Sequence, residues 1–149
     1  IDVNLPKVVD LRKGVLSFQN YNITLIKKGD RYIVKSRVTK KRCQIIKNIL
    51  KKQFVRIIKS NNKKVFSEIK KYNEMIDSFK KTFRYATCVN DDFSKIAREL
   101  DIWCYHKLSR DGRNGYKKDK KDPSKRYYRG YEIKTLYYTK FFAPHMKRR

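Results

Sequence analysis

Asp91 and Asp92 are adjacent carboxylates that could hold a divalent metal, and Tyr85-Ala86 stand a little way before them. Two carboxylates capture one Mg²⁺ when they sit together at a strand turn directly after such a Tyr-Ala pair. Here four residues intervene, and Asn90-Asp91-Asp92 heads a helical pattern. Acidic residues there cap free N–H groups and complement the helix dipole, so the pair reads as a cap. Cys104-x-His106 with Cys88 and Cys43 would supply four metal ligands, but the tight paired spacings of structural zinc sites are missing. Cys43 and Cys104 fall on apolar helical positions, where a thiol packs as a small hydrophobe. No Gly-rich phosphate loop occurs, and His106 and His145 belong to no Ser/His/Asp set. The reading is no catalytic residue, no metal site and no cofactor in this stretch.

The cations are the chemistry that remains. The chain carries 40 Lys and Arg against 14 Asp and Glu, a formal charge of +26 over 149 residues. A compact domain so charged repels itself unless a polyanion neutralises it, which makes nucleic acid the expected partner and a membrane surface a poor one. Lys40, Lys41, Arg42, Lys47, Lys51, Lys52 and Arg56 lie off the apolar face of one helical pattern, and Lys70, Lys71, Lys80, Lys81 and Arg84 off that of a second. Arg98, Lys107, Arg110 and Arg113 extend the set, and no Asp or Glu occurs between Thr39 and Lys64. Mixed charges would mean a solvated face; an unrelieved cationic face means a phosphate-binding surface. Further on, Arg126 and Arg129 interleave with tyrosines through Phe142. Arg can contact phosphate there while Tyr stacks on an unpaired base, or the tyrosines can dock on the rest of the fold.

The elements that must position these residues follow from periodicity. Residues 1–37 read as an extended entry, marked by Pro6 and Gly14, and a β-hairpin over Val15 to Ile26 and Arg31 to Lys35 that turns at Lys28-Gly29-Asp30. Residues 38–110 read as a three-helix bundle. Cys43, Ile46, Leu50, Phe54 and Ile57 line the first helix, capped by Thr39 and ended by Ser60-Asn61-Asn62. Phe66, Ile69, Tyr72, Ile76, Phe79, Phe83 and Ala86 line the second, and Phe93, Ile96, Leu100 and Trp103 the third, with Trp103 in the core. Residues 111–149 read as a mobile basic loop followed by a basic aromatic tail. The fold class expected is mainly α: a hairpin, a three-helix bundle and a tail.

Global features exclude other classes. Leu, Ile, Val and Phe total 39 residues, above the level at which charged chains stay unfolded. No apolar run approaches the ~18 residues that span a bilayer, and no signal peptide opens the chain. Three unpaired cysteines suit a reducing compartment, so the expected location is bacterial cytoplasm or an organelle, not secretion. Residue 1 is Ile and the methionines are Met75 and Met146, which suggests a piece of something larger.

Two stretches carry a family resemblance. Asn73-Glu-Met-Ile76-Asp-Ser-Phe79-Lys-Lys-Thr-Phe83-Arg84-Tyr85 resembles Asn-Pro-Ile-Ile-Arg-Gly-Trp-x-Asn-Tyr-Tyr-Arg. Phe93-Ser94-Lys95 and then Leu100-Asp101-Ile102-Trp103 with Lys107-Leu108 resemble the Leu-Asp-x-Trp-x-x-x-Arg-Leu that follows it. Together, over roughly residues 15–110, they look like the thumb, or maturase domain X, of group II intron reverse transcriptases. The resemblance implies a non-catalytic RNA-binding bundle that grips intron RNA and an RNA–DNA template–primer duplex. It places residues 1–37 at the end of the palm and the tail at the start of a DNA-binding segment. The fingers and palm would lie upstream, holding the Mg²⁺ carboxylates of a parent RNA-directed DNA polymerase. The alternatives are an independent basic RNA-binding protein of the ribosome-associated type and the thumb of a defence reverse transcriptase without an intron.

Overall fold

The computed structural model describes residues 14–18, 20–110 and 115–137. Residues 1–13, Arg113 and the residues from 138 onward, including Tyr138, Phe141 and Phe142, lie outside the described part, and so does the side chain of Arg110.

The first sheet has strands β1 (Leu16–Phe18), β2 (Tyr21–Lys28) and β3 (Arg31–Val38), antiparallel in that order. Lys28 pairs with Arg31, so Gly29 and Asp30 form a two-residue turn with Gly29 at φ +60°. A positive φ at the first turn residue is what a II′ hairpin requires. Tyr21 and Val38 share one face of the sheet and bring it onto the helices: Val38 is buried, and the Tyr21 ring meets Phe83 edge-on at 5.5 Å. Polar ties add to this, among them the bonds between Ser36 and Thr87 and those of Asp92. Asp92 accepts from Arg37 Nη2 at 2.6 Å and from the Val38 N–H at 3.2 Å. Asp92 thus has a tertiary role as well as a place, with Asp91, in the first turn of the third helix.

Helix α1 spans Lys40–Lys59, α2 Val65–Phe83 and α3 Val89–Arg110. Thr39 caps α1 as expected, its Oγ1 accepting from the Arg42 N–H at 3.2 Å, and Ser60 is the C-cap. Asn61 Oδ1 accepts from the N–H groups of Lys63 and Lys64, which turns the chain into α2. The core is built from Ile46, Leu50, Phe54 and Ile57 of α1, Ile69, Tyr72, Ile76 and Phe83 of α2, and Phe93, Ile96, Leu100 and Cys104 of α3. Phe54 is its centre, with the rings of Tyr72, Trp103, Tyr116 and Tyr128 all within 6.3 Å.

Three expectations need correction. Phe66 is not a core residue: α2 begins at Val65, which is buried on the line of Ile69, Tyr72 and Ile76, and Phe66 is rotated off that line and 57% exposed. Trp103 is only half-buried, on the rim of the core with the Lys51 ammonium 5.5 Å from its ring centre. The largest correction concerns the mobile loop and tail. Of the two readings of the Arg/Tyr stretch, the described residues adopt the docked one: residues 115–137 hold a second antiparallel sheet of β4 (Lys117–Lys118), β5 (Lys125–Tyr128) and β6 (Tyr131–Lys134) against the helices. Its inward residues, Arg126, Tyr128 and Ile133, together with Tyr116, Thr135 and Leu136, are buried.

Polar clamps centred on Asn73 and Asp101 help hold this second sheet. The Asn73 side chain brackets β6, its Nδ2 donating to Glu132 O at 3.1 Å and its Oδ1 accepting from the Lys134 N–H at 2.8 Å. Asp101, on α3, receives Arg126 through two bonds, Nη2 to Oδ2 at 2.6 Å and Nε to Oδ1 at 3.2 Å, and the Tyr116 hydroxyl at 2.7 Å. The fold is therefore mainly α, with a small antiparallel sheet at each end of the chain order.

The core fixes a pH response. Burial pushes the hydroxyls of Tyr72 and Tyr116 and the thiol of Cys104 well above their ordinary values, and the Cys43 thiol to about 11. The folded state therefore holds protons that the unfolded chain releases near pH 9–10, so stability falls as pH rises through that range. Urea unfolding followed by circular dichroism should show a midpoint constant between pH 7 and 8 and dropping steadily from pH 9 to 10.5. A midpoint unchanged at pH 10.5 would contradict this burial.

Candidate nucleic-acid interface

Helix α1 turns its apolar face inward and leaves a continuous outer stripe. Lys41, Ile45, Asn48, Lys52, Arg56 and Lys59 are all exposed and follow one another at spacings of three and four residues, about 27 Å in all at the helical rise. Lys40 precedes the stripe, and exposed Lys63 and Lys64 continue the positive charge past its end. None of these cations forms an ion pair among the described residues. The basic residues of the last turn, Arg56 and Lys59, also complement the helix dipole.

Other sequence candidates are already engaged. Lys47 bonds Glu99 at 3.0 Å, and Lys51 lies over Trp103. Arg42 is half-buried, its guanidinium 6.0 Å from the Phe83 ring centre. On α2, the outward line reads Lys70, Glu74, Asp77, Lys81, so acids alternate with cations there. Asp77 is bonded to Lys134 at 2.8 Å, and Lys71 lies 3.9 Å from Glu68. Lys80 is half-buried, and that burial lowers its pKa. Arg84 lies over the ring of Tyr85, 4.8 Å from its centre, and donates to its hydroxyl at 2.8 Å. Arg98 is exposed on α3, and Lys107 is half-buried.

Arg126 is the clearest correction. It is 3% exposed and fully engaged with Asp101, Pro123 O and Lys125 O, so it faces the interior and not a ligand. Arg129 is where the sequence placed it, at the surface. It stands in the β5–β6 turn at φ +53° beside Gly130 at φ +84°, and its Nη1 donates to Ser60 O at 3.0 Å. That bond brings the Arg129 guanidinium to the C-cap of α1, where it also lies 5.1 Å from the ring centre of Tyr128.

The chain matches no family model, no curated protein and no solved structure. Among the described residues, no three His, Cys, Asp or Glu side chains gather to hold a metal, and no helix is long and apolar enough to cross a membrane. What the sequence reading missed was the sorting of cations. It ranked α1 and α2 alike, although Glu74 and Asp77 recur at helical spacing on the outer face of α2 and no acid does so on α1. It also passed over Lys59, Lys63 and Lys64, which belong to the same acid-free stretch.

Proposed function

We propose that this chain is an RNA-binding module that grips structured RNA by its phosphates along the outer face of α1. The observation that carries the reading is the unpaired cationic stripe of Lys41, Lys52, Arg56 and Lys59 on a helix without an acid. The acids elsewhere are largely spent on internal ties: Asp92 on Arg37, Glu99 on Lys47, Asp101 on Arg126, Asp77 on Lys134. A rigid straight element suits a duplex of A-form character, which offers regularly spaced phosphates and 2′-hydroxyls across a wide, shallow minor groove.

In its finer form the proposal is the thumb, or maturase domain X, of a group II intron-type reverse transcriptase, binding intron RNA and the template–primer duplex. That form rests on the resemblance of residues 73–85 and 93–108 and on the order of a hairpin before three helices. The polymerase carboxylates and their Mg²⁺ would belong to an upstream palm, and this segment would have no catalytic part. Fluorescence anisotropy tests the broader reading. The chain should bind a fully paired RNA hairpin saturably and more tightly than an unstructured RNA of the same length. Equal affinity, or preference for the unstructured strand, would count against recognition of a duplex by α1.

A further inference from the structure

Phe66 and Tyr131 form an aromatic pair on the surface, their ring centres 5.6 Å apart and their planes tilted by 47°. Phe66 is 57% exposed, and among the described residues no cation lies over its ring. Tyr85 is more exposed, at 75%, but the Arg84 guanidinium already covers it. The pair sits at the end of the α1 stripe. Phe66 follows Lys63 and Lys64 by three and two residues, and Tyr131 follows Arg129 by two, with Arg129 tied to Ser60. An apolar ring of this exposure, with Lys70 and Lys134 lining the groove beside it and Lys63 and Lys64 just before it in the chain, has the composition of a single-strand nucleic-acid site: positive charge for the backbone and a π-face for the base.

A groove of about 400 Å³ runs beside the two rings. It is lined by Lys70 and Lys134 as well as by Glu74, Asp77 and Glu132, and two of these acids are already paired, Asp77 with Lys134 at 2.8 Å and Glu132 with Lys125 at 3.6 Å. Arg129 and Gly130 both hold positive φ, as a type I′ turn of two residues between β5 and β6 requires.

We propose that Phe66 and Tyr131 are a stacking platform for one unpaired nucleobase, placed where the duplex held by α1 ends. This rests on the RNA-binding reading and narrows it: the preferred ligand is a duplex with an adjoining unpaired nucleotide. The test uses two RNA hairpins, one blunt and one with a short overhang carrying 2-aminopurine next to the last base pair. Wild type should bind the overhang hairpin more tightly and change the 2-aminopurine fluorescence. Phe66→Ala should abolish that change and weaken binding of the overhang hairpin by about 5–100-fold, while binding the blunt one as wild type does. Phe66→Tyr, which keeps a ring, should retain both. Equal weakening on both hairpins, or none on either, would overturn the platform while leaving RNA binding standing. Failure of the wild type to bind either hairpin would instead remove the RNA reading itself, and the platform with it. Circular dichroism confirms that the variants fold.

Discussion

Asp101→Ala should destabilise the protein by about 3–5 kcal/mol, the cost of leaving a buried guanidinium without its partner. Asp101 and Arg126 are 8% and 3% exposed, and their pairing is close to bidentate. The substitution also strips the acceptor from the buried hydroxyl of Tyr116, which adds a second unsatisfied group. Small domains are stable by roughly 5–15 kcal/mol, so this one interaction is a large part of the total. The double change Asp101→Leu with Arg126→Met removes both charges together and should recover most of the stability, because hydrophobic replacement of a buried pair is often neutral or better. Urea unfolding of the wild type, the single variant and the double variant gives the comparison. A single variant within about 1 kcal/mol of wild type would mean that Arg126 escapes to solvent and that the second sheet is not anchored as described. On the proposed reading the pair would also support binding, because the sheet that Asp101 anchors carries Arg129 and Tyr131.

The helices were legible because their signal is local. Spacings of three and four placed Ile46, Leu50, Phe54, Ile76, Phe83, Phe93 and Leu100 on inward faces, and Thr39 and Ser60 marked the ends of α1 as side-chain capping demands. The second sheet was hidden because its signal is not local. Its strands are four residues or shorter, and the period-two alternation of Lys125–Tyr128 places an Arg on the inward face. A guanidinium at a core position reads as surface until its partner is known, and that partner lies 25 residues away in α3. Asn73 and Asp101 likewise stood out in the sequence only as parts of a resemblance. In the structure they help fasten the C-terminal sheet to α2 and α3, beside the Asp77–Lys134 pair. The single-residue misplacement of Phe66 has a comparable cause. Val65 and Phe66 are both apolar and lie four and three residues before Ile69, so either spacing fits a helix; the phase of Ile69, Tyr72, Ile76 and Phe83 turns Val65 inward.

The cationic face was visible as composition, but which cations are available was not. Lys47 and Lys51 sit beside Arg56 in the same acid-free stretch, yet Glu99 and the Trp103 ring occupy them. Lys41, Lys52 and Arg56 are exposed and unpaired among the described residues, so these three should bind phosphates. Each neutralised phosphate releases condensed counterions, and with about 6–10 of them wild-type affinity for an RNA hairpin should fall by ~10³–10⁵-fold between 50 and 200 mM salt. Replacing Lys41, Lys52 and Arg56 by Gln should flatten the log–log salt slope by about two to three units, one for each phosphate that no longer meets a cation. Helicity should persist, since Gln is nearly as good a helix former as Lys or Arg. The control is Lys47→Gln with Lys51→Gln, which removes equal charge per site from engaged positions and should leave the slope within about half a unit of wild type. The deciding measurement is therefore the salt titration of hairpin binding by wild type, the triple variant and the control, with circular dichroism on each. The account predicts a steep wild-type slope, a triple variant flatter by about two to three units, and a control that follows wild type. A folded triple variant that keeps the wild-type slope and affinity would contradict it, showing that the outer face of α1 is only solvated.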